Sequence, residues 1–162
     1  MLLNALWLTI FTKYNLTAFF ISCIDIFGLL GTCLFMMMIV SRNNLNKFEV
    51  ISAYTGFSMY AGWVTTATIL NIAFCLKGVG FNVGSNVSCY ILWIVQIIYI
   101  IISYKEQNVV YGTVWLWAAL AILNRQKENH KDIEANLDLI IIVHGVFLFG
   151  LSIMKCTVWI QG

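Results

Sequence analysis

The chain has 162 residues, of which 61% are hydrophobic and only 10% charged, where a soluble domain carries roughly 25% charged residues. So small an interior cannot hide that much apolar surface, which excludes an ordinary water-soluble protein and makes lipid the principal solvent. The net charge of +2 is dispersed, with no basic stripe interleaved with aromatics, and argues against a nucleic-acid partner.

A hydrocarbon core about 30 Å thick needs about 20 apolar residues per helix. Residues 1–12 form an apolar run about half that long, closed by Lys13, and predict a short N-terminal helix. Residues 16–40 predict a full span, followed by the polar segment Ser41, Arg42, Asn43, Asn44, Leu45, Asn46 and Lys47. The third helix is expected over 56–77, with Gly78 supplying a left-handed stop before a Gly- and Asn-rich loop. Residues 87–104 and 109–124 predict two further helices joined by the polar hairpin Lys105, Glu106, Gln107 and Asn108. In the second of these, Tyr111, Trp115 and Trp117 suit an interface or a packing seam. Residues 124–136 are strongly polar and read as a loop or short helix, with Glu128 and Asp132 at helical spacing. Residues 137–160 complete the set, and Lys155 is near enough to the end to snorkel.

These runs lack the alternating polar positions of a membrane barrel. The expected fold is all-α, a polytopic membrane helix bundle forming one domain over 1–162, with about five full spans plus the short first helix. Lys and Arg divide almost evenly between the two sides of that threading and leave its orientation open.

Within the spans, Tyr60, Trp63, Ala67 and Asn71 recur at helical spacing. Such a face could line an apolar ligand site, with Trp63 stacking on a flat ring and Asn71 as a polar handle, or could pack against another helix through Ala67. Asp25 is the most conspicuous residue, because an ionised carboxylate at mid-membrane costs about 2.5–3.5 kcal/mol even on the insertion scale. Helical rise puts Asn4, Asp25, Asn71, Gln96 and His144 at comparable depths, roughly 9–14 Å from one side, so they could converge in a buried polar layer. That layer reads as a structural network, or alternatively as a proton relay or heme contact through Asp25 and His144. His144 lacks a second His or Cys at ligand spacing, and His130 lies in the polar stretch, so no metal site is expected. Cys23, Cys33, Cys75, Cys89 and Cys156 show no CxxC spacing and read as small core residues. Ser22, Ser58 and Ser88 have no nucleophile-elbow context, so no enzymatic activity is expected.

Residues 56–71, GFSMYAGWVTTATILN, carry Phe57, Trp63, Ala67, Leu70 and Asn71 in an order that resembles the last core helix of the translocator and tryptophan-rich sensory protein family. Upstream, LLNALWLTIF resembles that family's third helix, with Asn4 and Trp7 at matching spacing, and residues 16–40 stand where its fourth would be. The later helices, including YGTVWLWAALAI at 111–122, resemble an extension of longer bacterial relatives. Two family helices that would precede Met1 have no counterpart, and Gly56 stands where the family has proline. The resemblance implies a helical bundle that encloses a porphyrin or a sterol only if another polypeptide supplies the missing wall, with Trp7 joining Tyr60, Trp63 and Asn71 as ligand contacts.

The half-length first helix, the buried carboxylate and the incomplete pocket all call for partner surface. The expected function is therefore a non-catalytic accessory subunit of a larger membrane assembly, in contact with other membrane subunits and lipids and carrying no cofactor. The Asn- and Ile-rich composition suggests a mitochondrial respiratory-chain complex of the inner membrane. The alternative is a porphyrin- or sterol-binding translocator-like protein.

Overall fold

A computed structural model describes residues 2–13, 15–42, 46–81, 84–126 and 131–161, and among these it is helix and turn throughout, without strands. The expectations for Asn43, Asn44, Leu45, Glu128 and His130 fall outside the described residues. The elements are α1 (Leu2–Phe11), α2 (Leu16–Arg42), a single turn α3 (Lys47–Glu49) that widens into a π-helical turn (Val50–Tyr54), α4 (Thr55–Gly78), α5 (Ser85–Lys105), α6 (Val109–Gln126) and α7 (Lys131–Gln161). The sequence contains no proline, so nothing removes an amide donor from a helix interior, and the apolar runs become unbroken helices. Among the described residues four helices are long and apolar enough to cross a membrane, so the polytopic helical bundle expected from the sequence is present. The other long helix, α6, carries Gly112, Thr113 and a polar end at Asn124, Arg125 and Gln126, which dilute its apolar character.

Side chains start α2, α3 and α6. Asn15 Oδ1 accepts the Ala18 amide at 2.7 Å to cap α2, and Asn108 Oδ1 accepts the Tyr111 amide at 3.0 Å to cap α6. Asn46 and Glu49 cap α3 reciprocally, at 2.8 and 3.0 Å. The end of α4 differs from expectation. Gly78 stays helical, and Gly80, at φ +83°, makes the left-handed turn. The Phe81 amide bonds Leu76 O and the Gly80 amide bonds Lys77 O, both at 3.0 Å, which closes a Schellman motif two residues later than the sequence suggested. A Cβ on Gly78 would approach Leu16 Cδ1 to 2.9 Å, so this glycine serves close packing instead. At the end of α5 the same motif uses Gln107, at φ +48°. The last helix starts earlier than 137, because the polar turns from Lys131 are already helical.

The chain forms two compact units, residues 1–83 and 84–162. In the first, α2 packs along α4 with α1 against α2. The buried stripe of α2 is Ala18, Ser22, Asp25, Ile26, Leu29, Cys33 and Met37, and α4, which packs along α2, buries small residues that include Ala61, Gly62, Thr65, Ala67 and Thr68. Small residues let two helices approach where no hydrophobic drive separates protein from lipid. Their hydroxyls are paired within the helix: Thr65 Oγ1 donates to Ala61 O at 2.8 Å and Thr68 Oγ1 to Val64 O at 2.7 Å. In the second unit α5, α6 and α7 pack mutually, and α7 contributes the stripe Ile133, Leu137, Ile140, His144, Leu148 and Leu151.

Candidate functional site

In the first unit Trp7 and Phe11, one turn apart on α1, stack with centroids 5.3 Å apart. Phe11 continues to Phe19 of α2 at 5.7 Å and meets Phe74 of α4 edge-on at 5.6 Å. Phe19 and Phe74 stack at 5.9 Å. Three helices therefore contribute to one aromatic wall. Its polar element is Trp7 Nε1, which is buried without a hydrogen-bond partner. An unpaired N–H in an apolar medium forfeits a bond that water would otherwise supply. Asn4, one turn earlier on α1, is half-buried.

Behind this wall lies a polar node. Asn71 is fully buried, its Nδ2 donates to Ser22 Oγ at 3.0 Å, and Ser22 Oγ donates to Phe19 O at 2.9 Å. Cys23 Sγ donates to Asn71 Oδ1 at 3.2 Å and lies 3.2 Å from Cys75 Sγ. One turn further along α2, Asp25 is 8% exposed and its Oδ2 has no partner.

The expected ligand residues separate along α4. Asn71 is one turn from Phe74 of the aromatic wall, whereas Trp63 precedes Phe74 by about 16 Å of helical rise. Trp63 is 47% exposed and Tyr60 half-buried, while Ala67 and Asn71 of the same helix are buried. Trp7 and Asn71 thus belong to one end of the unit, and Tyr60 and Trp63 stand away from it.

The second unit holds its own buried polar groups. Tyr99 stacks on Tyr111 at 4.8 Å and on Trp115 at 5.5 Å, and Trp115 Nε1 donates to Gln96 Oε1 at 2.6 Å. His144 Nε2 lies 2.9 Å from Gly112 O. A carbonyl only accepts, so Nε2 carries the proton and Nδ1 presents its lone pair. Nδ1 has no partner, and neither do Ser103 Oγ and Gln96 Nε2. Of the five residues expected in a polar layer, Asp25 and Asn71 are buried in the first unit and Gln96 and His144 in the second, with Asn4 half-buried in the first.

Sequence reasoning did not single out Phe11, Phe19 and Phe74, nor the pairing of Cys23 with Cys75. The spacing of Trp7 and Phe11 marks one face of α1, but the rings on α2 and α4 join them only through helix packing. Among the described residues no three His, Cys, Asp or Glu side chains converge as metal ligands would.

No curated protein and no solved structure matches the chain. Residues 1–155 match the family described as TSPO-like protein. That match takes in both units. The chain belongs to the TSPO-like protein family and is an integral membrane protein of the translocator type.

Proposed function

We propose that the protein is a non-catalytic, translocator-type membrane protein that binds a flat apolar ring system, a porphyrin or a sterol, against the aromatic wall of its first unit. The observation that carries this reading is Trp7, whose ring extends the stack from Phe11 while its Nε1–H is buried and unpaired. A ring ligand bearing a carboxylate or hydroxyl would lengthen the stack and give that N–H an acceptor. Membership of the TSPO-like family supports the same reading. An indole and three phenyl rings bind and orient but supply neither nucleophile nor base, which favours binding over catalysis. Asn71 supports the wall from behind, through Ser22 and the Phe19 carbonyl.

A second reading is the accessory subunit of a larger membrane assembly. One observation favours it: none of the residues of α1 is buried, so this short helix has surface left for a neighbour. On composition its host would be a respiratory complex of the mitochondrial inner membrane. Titration of the full chain in detergent with protoporphyrin separates the two. The binding reading expects saturable quenching of tryptophan fluorescence at micromolar ligand, reversed by an excess of competing sterol or porphyrin. Absence of saturable quenching, with migration of the native protein in a larger assembly, would replace it by the accessory reading.

A further inference from the structure

Cys23 and Cys75 are both free thiols, and their Sγ atoms lie 3.2 Å apart across the α2–α4 contact. A single oxygen gathers them: Asn71 Oδ1 accepts from Cys23 Sγ at 3.2 Å and from Cys75 Sγ at 3.9 Å. Forming a disulfide would bring the sulfurs to about 2.05 Å, a closure of about an ångström. We propose that Cys23 and Cys75 are a dithiol modification site, oxidised by a peroxide to a disulfide that fastens α2 to α4 directly behind the aromatic wall.

The pair is placed for this chemistry. Cys23 lies in the second turn of α2 and Cys75 in the last turn of α4, each within about 10–11 Å of its helix end at about 1.5 Å per residue. That depth is no more than about a third of a hydrocarbon core about 30 Å thick, on the side from which a peroxide from water arrives. Cys23 is half-buried and reachable, whereas Cys75 is 7% exposed. The half-buried sulfur therefore reacts first. Cys23 gives up its proton and attacks one peroxide oxygen; the O–O bond breaks, one water leaves and a sulfenic acid remains. Cys75 sulfur then attacks the Cys23 sulfur, the S–S bond forms, and the hydroxyl departs with the Cys75 proton as a second water. Two thiols and one hydrogen peroxide become one disulfide and two waters, with two electrons passing from sulfur to oxygen.

Closure removes both thiol donors from Asn71 Oδ1 and leaves the Nδ2 bond to Ser22. It also ties the backbone one turn after Phe19 to the residue following Phe74, two members of the wall. The other cysteines are arranged differently: Cys33 is buried in the α2 stripe, Cys89 Sγ is directed at Asp132 O at 4.0 Å, and Cys156 is exposed near the end of α7.

The test treats the full chain in lipid nanodiscs with graded hydrogen peroxide, blocks remaining thiols by alkylation and maps the peptides without reduction. The expected result is a Cys23–Cys75 linked peptide, reversed by a thiol reductant and absent from Cys23→Ser and Cys75→Ser. Oxidation should also raise the thermal midpoint of the wild type and leave that of Cys75→Ser unchanged. Full alkylation of Cys23 and Cys75 at doses that consume exposed Cys156 would overturn the proposal. So would Cys23 linked to another cysteine, or Cys75 recovered only as an unlinked sulfinic acid.

Discussion

His144 of α7 directs its Nε2–H at the carbonyl oxygen of Gly112 on α6, 2.9 Å away, at a helix position with no room for a side chain. A Cβ on Gly112 would come within 2.5 Å of Leu148 Cδ2, 2.9 Å of Ser103 Oγ and 3.5 Å of His144 Nε2. Gly112 is thus the point where all three helices of the second unit meet, and its lack of a side chain brings the His144 ring onto the α6 backbone.

Gly112→Ala should therefore destabilise the protein by about 1–3 kcal/mol, the usual cost of overpacking a filled interior. Gly145→Ala is the matched control, because its Cβ would meet nothing within 4 Å and the change should stay within about 1 kcal/mol in either direction. Thermal unfolding of the two variants in the same detergent checks this. Equal midpoints would contradict the close approach.

Trp115 and Gln96 should behave as a coupled pair. Trp115→Phe removes the donor to Gln96 Oε1 and leaves the amide, whose Nε2 is already unpaired, without either bond. The expected loss is about 1–2 kcal/mol. Gln96→Leu in the same background removes the stranded amide and should recover much of it. A double-mutant cycle measures the coupling, and additive single effects would argue against the bond.

The helices were legible because each is a continuous apolar run without proline, a signal that survives any tertiary arrangement. The start of α7 was only half legible, because Asp132, Glu134 and Asn136 read as a loop or a short helix; in the fold Asn136 Oδ1 accepts from Trp93 Nε1 at 2.9 Å and ties that polar turn to α5. The end of α4 was misplaced because Gly78 and Gly80 look alike in sequence, whereas only Gly80 takes positive φ. The candidate site was half legible. Asn71 was visible from helical spacing and Trp7 through the family resemblance, but both signals also marked Trp63, which is 47% exposed. In a membrane protein the lipid-facing and protein-facing sides of a helix are both apolar, so periodicity does not tell them apart.

Asp25→Leu should raise the thermal midpoint of the isolated chain. The carboxylate is buried with Oδ2 unpaired, and relieving that penalty is worth up to about 3.5 kcal/mol on the insertion scale. Melting of the detergent-purified variant decides the matter. A lower midpoint would show that the carboxylate stabilises the fold.

The proposed ligand lies flat against Trp7, so the protoporphyrin affinity of Trp7→Phe is to be compared with that of Trp117→Phe, a residue 60% exposed on the second unit. Because Trp7→Phe keeps an aromatic ring and removes the N–H, its dissociation constant should be about tenfold weaker, the loss of roughly one hydrogen bond in an apolar site, with Trp117→Phe unchanged. Equal affinities in the two variants and the wild type would contradict that placement.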